Sequence, residues 1–459
     1  MVKILMVVWV LVFPLMLQAV AKKPNILFCL ADDWGWPHAG AYGDTTVRTP
    51  VFDRLAKEGV VFDHAYVSSP SCTPCRSSIL TGQQFYRLGT AANLRGGLDV
   101  NHPNFMFMLR DAGYDIGHWR KAWDPGNYDE GGYTEHPCGP ESSFDKFMNG
   151  RDEGKPFCFW FGTSDPHRKY DPGTGVASGI KLADVHVPGF FPDTEAVRSD
   201  IADYYFEVER WDTDVGVALK LLEERGEMGN TIVVMTGDHG MPFPRCKGNM
   251  YDWGLRVPLA VRWNAIDAGR RVNGFVSLTD LAPTFLEAAG VNVPSVMTGQ
   301  SLLPLLQGDM DAHQTRDYVV AGRERHTPAQ GKPSLDGYPS RAIRTGRWLL
   351  VLNLEPSRLP AGALGWFGDC DGSPTKNEVK KLKGSMFYDL CFSQRPEVEL
   401  YDCQKDPDQL NNLASNPEYK ETVAQLRRQL AGYLKQTDDP RFTDEEVLFD
   451  TFPYNKKKK

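Results

Sequence analysis

Two carboxylates stand side by side at Asp32-Asp33, and a third, Asp238, is followed by His239. Each group closes an apolar run, "NILFCLADD" in the first case and "NTIVVMTGDHG" in the second. If these runs are neighbouring strands, their ends crowd three negative groups together, which raises carboxyl pKa values unless a cation neutralises them. An oxygen-rich set of this kind suits Ca²⁺ or Mg²⁺ better than a soft metal. The competing explanation is that Asp32 and Asp33 cap the turn or helix that follows them. A second reactive group is Cys72-Thr73-Pro74-Cys75-Arg76, where a turn-rich stretch gives way to a helix start closed by Thr81-Gly82. A helix N-terminus favours anions and lowers a thiol's pKa. The C-x-x-C spacing fits a redox pair, half a zinc site or two structural thiols. No second C-x-x-C or nearby His pair completes a zinc site, and spacing alone does not choose among the rest.

The elements that must hold these groups are legible as alternating patterns. "PFCFWFGTSDPH" is a third apolar run, ending in Asp165-Pro166-His167. Amphipathic helical patterns lie between the runs, as in "VFDRLAKEG" and "VGVALKLLEERG", the second closed by Gly226. Strands alternating with helices predict an α/β fold: a large, mainly parallel sheet covered by helices on both faces. Ligand sites in such sheets lie beyond the carboxyl ends of the strands, and all three polar clusters fall there. After about residue 315 the pattern changes. "YVVAG", "RAIRTGRWLLVLN", "MFYDL" and "ELYDCQKDP" read as short strands, a Pro- and Gly-rich loop spans 353–383, and a helix runs from about Glu418 to Gln436. The expected organisation is residues 22–314 as a catalytic unit and 315–459 as a smaller C-terminal α+β subdomain with an antiparallel sheet.

The 459-residue chain is 41% hydrophobic with a formal net charge of -8. It has ample material for a core, and it has neither a basic stripe nor interleaved aromatics for nucleic acid. Its N-terminus places Lys3 before an apolar run from Ile4 to Leu17 and an Ala19-Val20-Ala21 ending. That order reads as a secretory signal, residues 1–21, cleaved after Ala21, rather than an uncleaved anchor. The protein is expected to be exported, periplasmic or secreted, without stable membrane insertion after cleavage. Nine cysteines is an odd number, so at least one lacks an intramolecular partner or is chemically altered. Cys370, Cys391 and Cys403 cluster near the C-terminus and are candidates for pairing.

Cys72-x-Pro74-x-Arg76 followed by Thr81-Gly82 resembles the signature C-x-P-S-R-x-x-x-x-T-G of the formylglycine-dependent sulfatases, with Cys75 in place of the serine. The resemblance extends through "PNILFCLADDWG", "MTGDHG" with "KGNMYDWGLRVPL", and "ELYDCQKDPDQLNNLA". It implies an alkaline phosphatase-like fold and a sulfuric ester hydrolase whose Cys72 is oxidised to formylglycine by a sulfatase-maturing enzyme. It also implies that Asp32, Asp33, Asp238 and His239, with residue 72, hold one Ca²⁺. Arg76 would stabilise the hydrated aldehyde; Lys121, Lys247 and His167 would bind the sulfate and assist the leaving group. One departure stands out: the family's histidine after G-K-W is Trp123 here, and His118 lies five residues too early to replace it. Trp123 is therefore expected either to line a sugar-binding wall or to sit in the core. "GDHGMPFPRCKGNMYDWG" and "SDPHRKYDPG" resemble the heparan N-sulfatase branch and its bacterial relatives. The expected substrate is a sulfated polysaccharide or oligosaccharide bearing O- or N-sulfate, with Arg168 and Arg245 as candidate contacts to a carboxylate or second sulfate. A phosphatase or phosphodiesterase of the same superfamily is the alternative.

Overall fold

The computed structural model describes residues 22–308, 316–331, 333–443 and 445–455. The segment read as a secretory signal, the junction at 314 and the C-terminal run of four lysines, 456–459, lie outside these. Seven strands form the larger sheet: β1 (Asn25–Ala31), β2 (Val60–Tyr66), β3 (Asp115–Trp119), β4 (Phe157–Gly162), β5 (Thr231–Gly237), β6 (Leu259–Arg262) and β7 (Arg270–Ser277). Their spatial order is β3-β4-β1-β5-β6-β2-β7. All pairings are parallel except those of β6, which runs against both β5 and β2.

The central strand β1 is buried along its whole length. Ile26, Phe28 and Leu30 face one core, and Leu27, Cys29 and Ala31 face another. A strand covered on both faces needs an unbroken apolar run rather than an alternating one, and "NILFCLA" is such a run. The principal helices are α1 (Pro50–Glu58), α2 (Cys72–Thr81), α3 (Phe105–Asp111), α4 (Phe144–Gly150), α5 (Glu195–Glu224) and α6 (Leu281–Ala288), then α7 (Pro374–Lys381), α8 (Met386–Phe392) and α9 (Lys420–Gln436). Helices α2, α3 and α6 cover the first face, and α1, α4 and α5 the second. The helical pattern around residues 215–226 is the last part of the 30-residue α5, whose N-cap Thr194 accepts a hydrogen bond from Val197 N–H.

The second sheet is antiparallel, β11-β10-β9-β8. It comprises β8 (Tyr318–Arg323), β9 (Ser340–Thr345), β10 (Trp348–Asn353) and β11 (Val398–Asp402). Leu426, Leu430 and Leu434 of α9 pack on it with Val320, Ile343 and Leu350. Its other face joins the first core through Val319, Ala321, Leu349 and Val351, so the two sheets share packing.

Two local expectations are corrected. "MFYDL" is not a strand but the start of α8, because Ser385 caps it by accepting from Tyr388 N–H. A satisfied N-cap outweighs the β-preference of Phe and Tyr. The loop at 353–383 contains α7, started in the same way by Ser373 and by Pro374 at its first turn. The nine cysteines are all free thiols, so Cys370, Cys391 and Cys403 are not paired. Their sulfurs face the carbonyls of Asp371, Phe190 and Tyr401 respectively.

Candidate active site

The strand ends converge as parallel topology requires. Past β1, Asp32 N–H donates to Asp165 O at 3.1 Å and Ala31 O accepts from Asp238 N–H at 3.1 Å, so the chain stays in register just beyond the sheet. Asp33 then turns into the left-handed region at φ 73, a conformation that Asp tolerates at a cost of order 1 kcal/mol. Its N–H donates to Asp238 Oδ1 at 2.9 Å. After His239 the backbone runs against the short helix Asp252–Leu255: a Cβ on Gly240 would lie 1.8 Å from Trp253 O. Only glycine permits that approach.

Helix α2 is buried all round and presents Cys72 at its first turn. Cys72 Sγ lies 3.3 Å from Lys121 Nζ, 3.3 Å from His239 Nε2 and 3.6 Å from Asp32 Oδ1. Burial raises the Cys72 thiol pKa well above its ordinary value; Lys121 pulls it down and Asp32 pushes it up. As a plain thiol it would stay protonated at neutral pH and be a poor nucleophile. Cys75, one turn on, is also fully buried and raised by burial.

Arg76, the next residue of α2, donates through Nε to Asp238 Oδ2 at 2.8 Å and through Nη1 to the carbonyls of Lys121 and Ala122. Its Nη2 lies 3.5 Å from Asp32 Oδ1. No Arg76 donor bonds Cys72 among the described residues; the guanidinium fixes the carboxylates around it. Lys121 Nζ is 2.6 Å from both oxygens of Asp32. Burial alone would raise the Asp32 carboxyl pKa, yet Lys121, His167, Arg76 and Lys247 hold it well below the ordinary range. Lys247 Nζ donates to Asp33 Oδ2 at 2.8 Å. Burial would lower its pKa, but Asp33 and Asp371 raise it.

The two histidines have assignable roles for their nitrogens. His239 Nδ1 faces Gly240 O at 3.1 Å, so that nitrogen carries the proton and Nε2 presents a lone pair. That lone pair lies 3.3 Å from Asp33 Oδ1 and 3.6 Å from Asp238 Oδ1. Asp33 Oδ1 is buried and accepts no hydrogen bond. A cation held between Asp33 Oδ1, Asp238 Oδ1 and His239 Nε2 would satisfy all three, so the residues fit a divalent metal. Ligand atoms of Asp32, Asp33, Cys72 and His239 all lie within 4.8 Å of one another. His167 Nδ1 is 2.6 Å from Arg168 O, which leaves Nε2, 3.9 Å from Asp33 Oδ2, facing the site.

Two candidate substrate contacts, Arg168 and Arg245, are corrected, and Trp123 takes the core alternative. Trp123 is fully buried, its Nε1 donating to Ser77 Oγ at 2.7 Å; it braces α2 and forms no sugar-binding wall. Arg168 is held in a bidentate pair with Asp200 and donates to Pro242 O. Arg245 is fully buried, donates to the carbonyls of Leu390 and Gln409, and lies 3.7 Å over the Tyr251 ring. Two unforeseen residues reach the site from the C-terminal part. His326 Nδ1 lies 2.8 Å from Ser71 Oγ, next in the chain to Cys72, and Asp371 Oδ2 lies 3.5 Å from Lys247 Nζ. The signal for the second was the Asp369-x-Asp371 pair between glycines in a stretch read only as loop.

Fold and site together define an α/β protein that gathers buried carboxylates, cations and a thiol beyond the ends of its parallel strands. The Sulfatase family model matches residues 24–291. An ulvan-active sulfatase of Formosa agariphila is 31% identical over 444 residues, covering 92% of this chain and 82% of the relative. The human N-sulphoglucosamine sulphohydrolase is 29% identical over 483 residues, with 92% and 91% covered. The phosphonate monoester hydrolase of Agrobacterium radiobacter has a similar structure, with TM-score 0.68, 18% identity and coverage of 95% and 100%. The last likeness shows the fold alone, which is alkaline phosphatase-like. The chain belongs to the sulfatase family and is a sulfuric ester hydrolase.

Proposed function

We propose that the protein is an exported sulfatase that removes O- or N-sulfate groups from sulfated polysaccharides or their oligosaccharides, using formylglycine made from Cys72 by a maturing enzyme. The observation that carries this is the placement of Cys72: a buried thiol at the first turn of α2, set against Lys121, His239 and Asp32 at the strand ends. Ulvan-active and N-sulphoglucosamine-directed relatives support a carbohydrate substrate. The apolar run and A-x-A ending at residues 1–21 support export. Residues 22–314 supply the reacting groups and residues 315–459 the rim of the site.

In the matured enzyme, hydrate oxygens would occupy the place of Cys72 Sγ. A hydrated aldehyde supplies one hydroxyl to attack sulfur and a second whose deprotonation expels sulfate, a release route that an ordinary cysteine or serine lacks. A divalent cation, Ca²⁺ by its oxygen-rich set, would be held by Asp32, Asp33, Asp238, His239 and residue 72 and would offset charge on the sulfate. Arg76, Lys121 and Lys247 balance the three carboxylates, so the loaded site is net positive and suited to an anionic ester. Lys121 and Lys247 keep their protons tightly. They therefore hold sulfate oxygens, and His167, through Nε2, protonates the leaving oxygen or nitrogen.

The test is mass spectrometry of the tryptic peptide spanning residues 58–76, paired with sulfate release from defined sulfated sugars, on protein coexpressed with a maturing enzyme. An aldehyde at position 72 that tracks activity is the expected result. Full activity with an unmodified thiol would refute the mechanism.

A further inference from the structure

Asp371 is an odd presence beside a sulfate-binding lysine. Its carboxylate lies 3.5 Å from Lys247 Nζ, yet Lys247 already has Asp33 Oδ2 at 2.8 Å as its counter-charge. Its side chain is 32% exposed, against 5% for Lys247 and none for Asp33. Its carboxylate accepts no hydrogen bond from the described residues, so an acceptor faces open space next to the reacting centre. With burial raising it and Lys247, His167 and His326 lowering it, the Asp371 carboxyl sits at about 2 and is ionised at neutral pH.

The loop that carries it is built to hold it there. Asp369 forms a buried pair with Arg323 at the end of β8 and accepts from Thr327 N–H and Oγ1. Lys376 Nζ donates to the carbonyls of Phe367 and Cys370, each at 2.7 Å. A carboxylate braced on both sides and left without a donor is preorganised for a donor from the substrate.

An ionised carboxylate cannot serve the sulfate. It can accept hydrogen bonds from hydroxyls, and it repels any second anion brought to the same place. Resting on the sulfatase reading above, we propose that Asp371 is a specificity residue that accepts a hydrogen bond from a free hydroxyl next to the sulfated position of the sugar. A residue sulfated at both positions is thereby excluded.

The experiment uses the full-length, aldehyde-bearing enzyme, its Asp371→Asn and Asp371→Ala variants, and three sugars: a monosulfated sugar with the adjacent hydroxyl free, its deoxy analogue, and the adjacent disulfate. Wild type should prefer the free hydroxyl over the deoxy analogue by about 10- to 100-fold in kcat/KM, as expected of a hydrogen bond to a charged group. Asp371→Ala should lose that preference by falling on the hydroxylated sugar alone, and Asp371→Asn should gain on the disulfate. Equal losses by Asp371→Ala on the hydroxylated and deoxy sugars would mean that the carboxylate only positions Lys247, and would overturn the inference alone. Failure of the aldehyde-bearing wild type on all three sugars would overturn the carbohydrate reading, and the inference with it.

Discussion

The strand-end cluster and its C-terminal rim treat charge in opposite ways. In the cluster, Asp33, Arg76, Asp238 and His239 are each fully buried, and every cation is paired. Groups this dry are strong electrostatically and intolerant of removal, because a lost partner leaves an uncompensated buried charge. At the rim, His326 and Asp371 arrive on a separate sheet and loop, and Asp371 keeps an open, partly wet carboxylate. The proposed chemistry thus sits where water is excluded, and the proposed recognition at the partly exposed edge. A change at the rim should alter which ester is hydrolysed, and a change in the cluster whether any is.

The sharpest test of this contrast is Cys72→Ala. It should abolish sulfate release on every substrate, a loss of about 10⁴-fold or more, while circular dichroism stays native. Next comes metal removal. Exhaustive chelation should lower turnover by about 100-fold or more and also lower Tm, since Asp33 Oδ1 and His239 Nε2 then face each other without a cation. Added Ca²⁺ should restore both, and an unchanged Tm would argue against a metal in the cluster. Asp369→Ala, which breaks a buried pair with Arg323, should destabilise the protein by about 3–5 kcal/mol in denaturant unfolding. In the surviving folded fraction it should mimic Asp371→Ala in substrate preference; loss of aldehyde chemistry instead would show rim and cluster to be one unit. The smallest effect belongs to Trp123→Phe, about 1 kcal/mol for the bond to Ser77 Oγ, with KM unchanged. A large rise in KM would return Trp123 to the sugar-binding wall.

Much of this was legible before any coordinates. The continuous apolar run of β1 fitted a buried strand, and parallel pairing with β5 puts Asp32 and Asp33 beside Asp238. Arginines were legible only as charges. Arg168 and Arg245 looked free to meet a substrate, but their partners, Asp200 and the carbonyls of Leu390 and Gln409, are 32, 145 and 164 residues away. The cap residues Ser373 and Ser385 were local signals outweighed by Pro/Gly content and by aromatic β-preference.

By itself the sequence determined which groups could react: local patterns set the strands, the strands' ends set the carboxylates, and the turn before α2 set Cys72. Only the tertiary structure decided which charges were already paired, that Trp123 belongs to the core, and that Asp371 stands open beside Lys247. Pairing and burial are sums over distant contacts in a low-dielectric interior, and no local pattern of residue types records them.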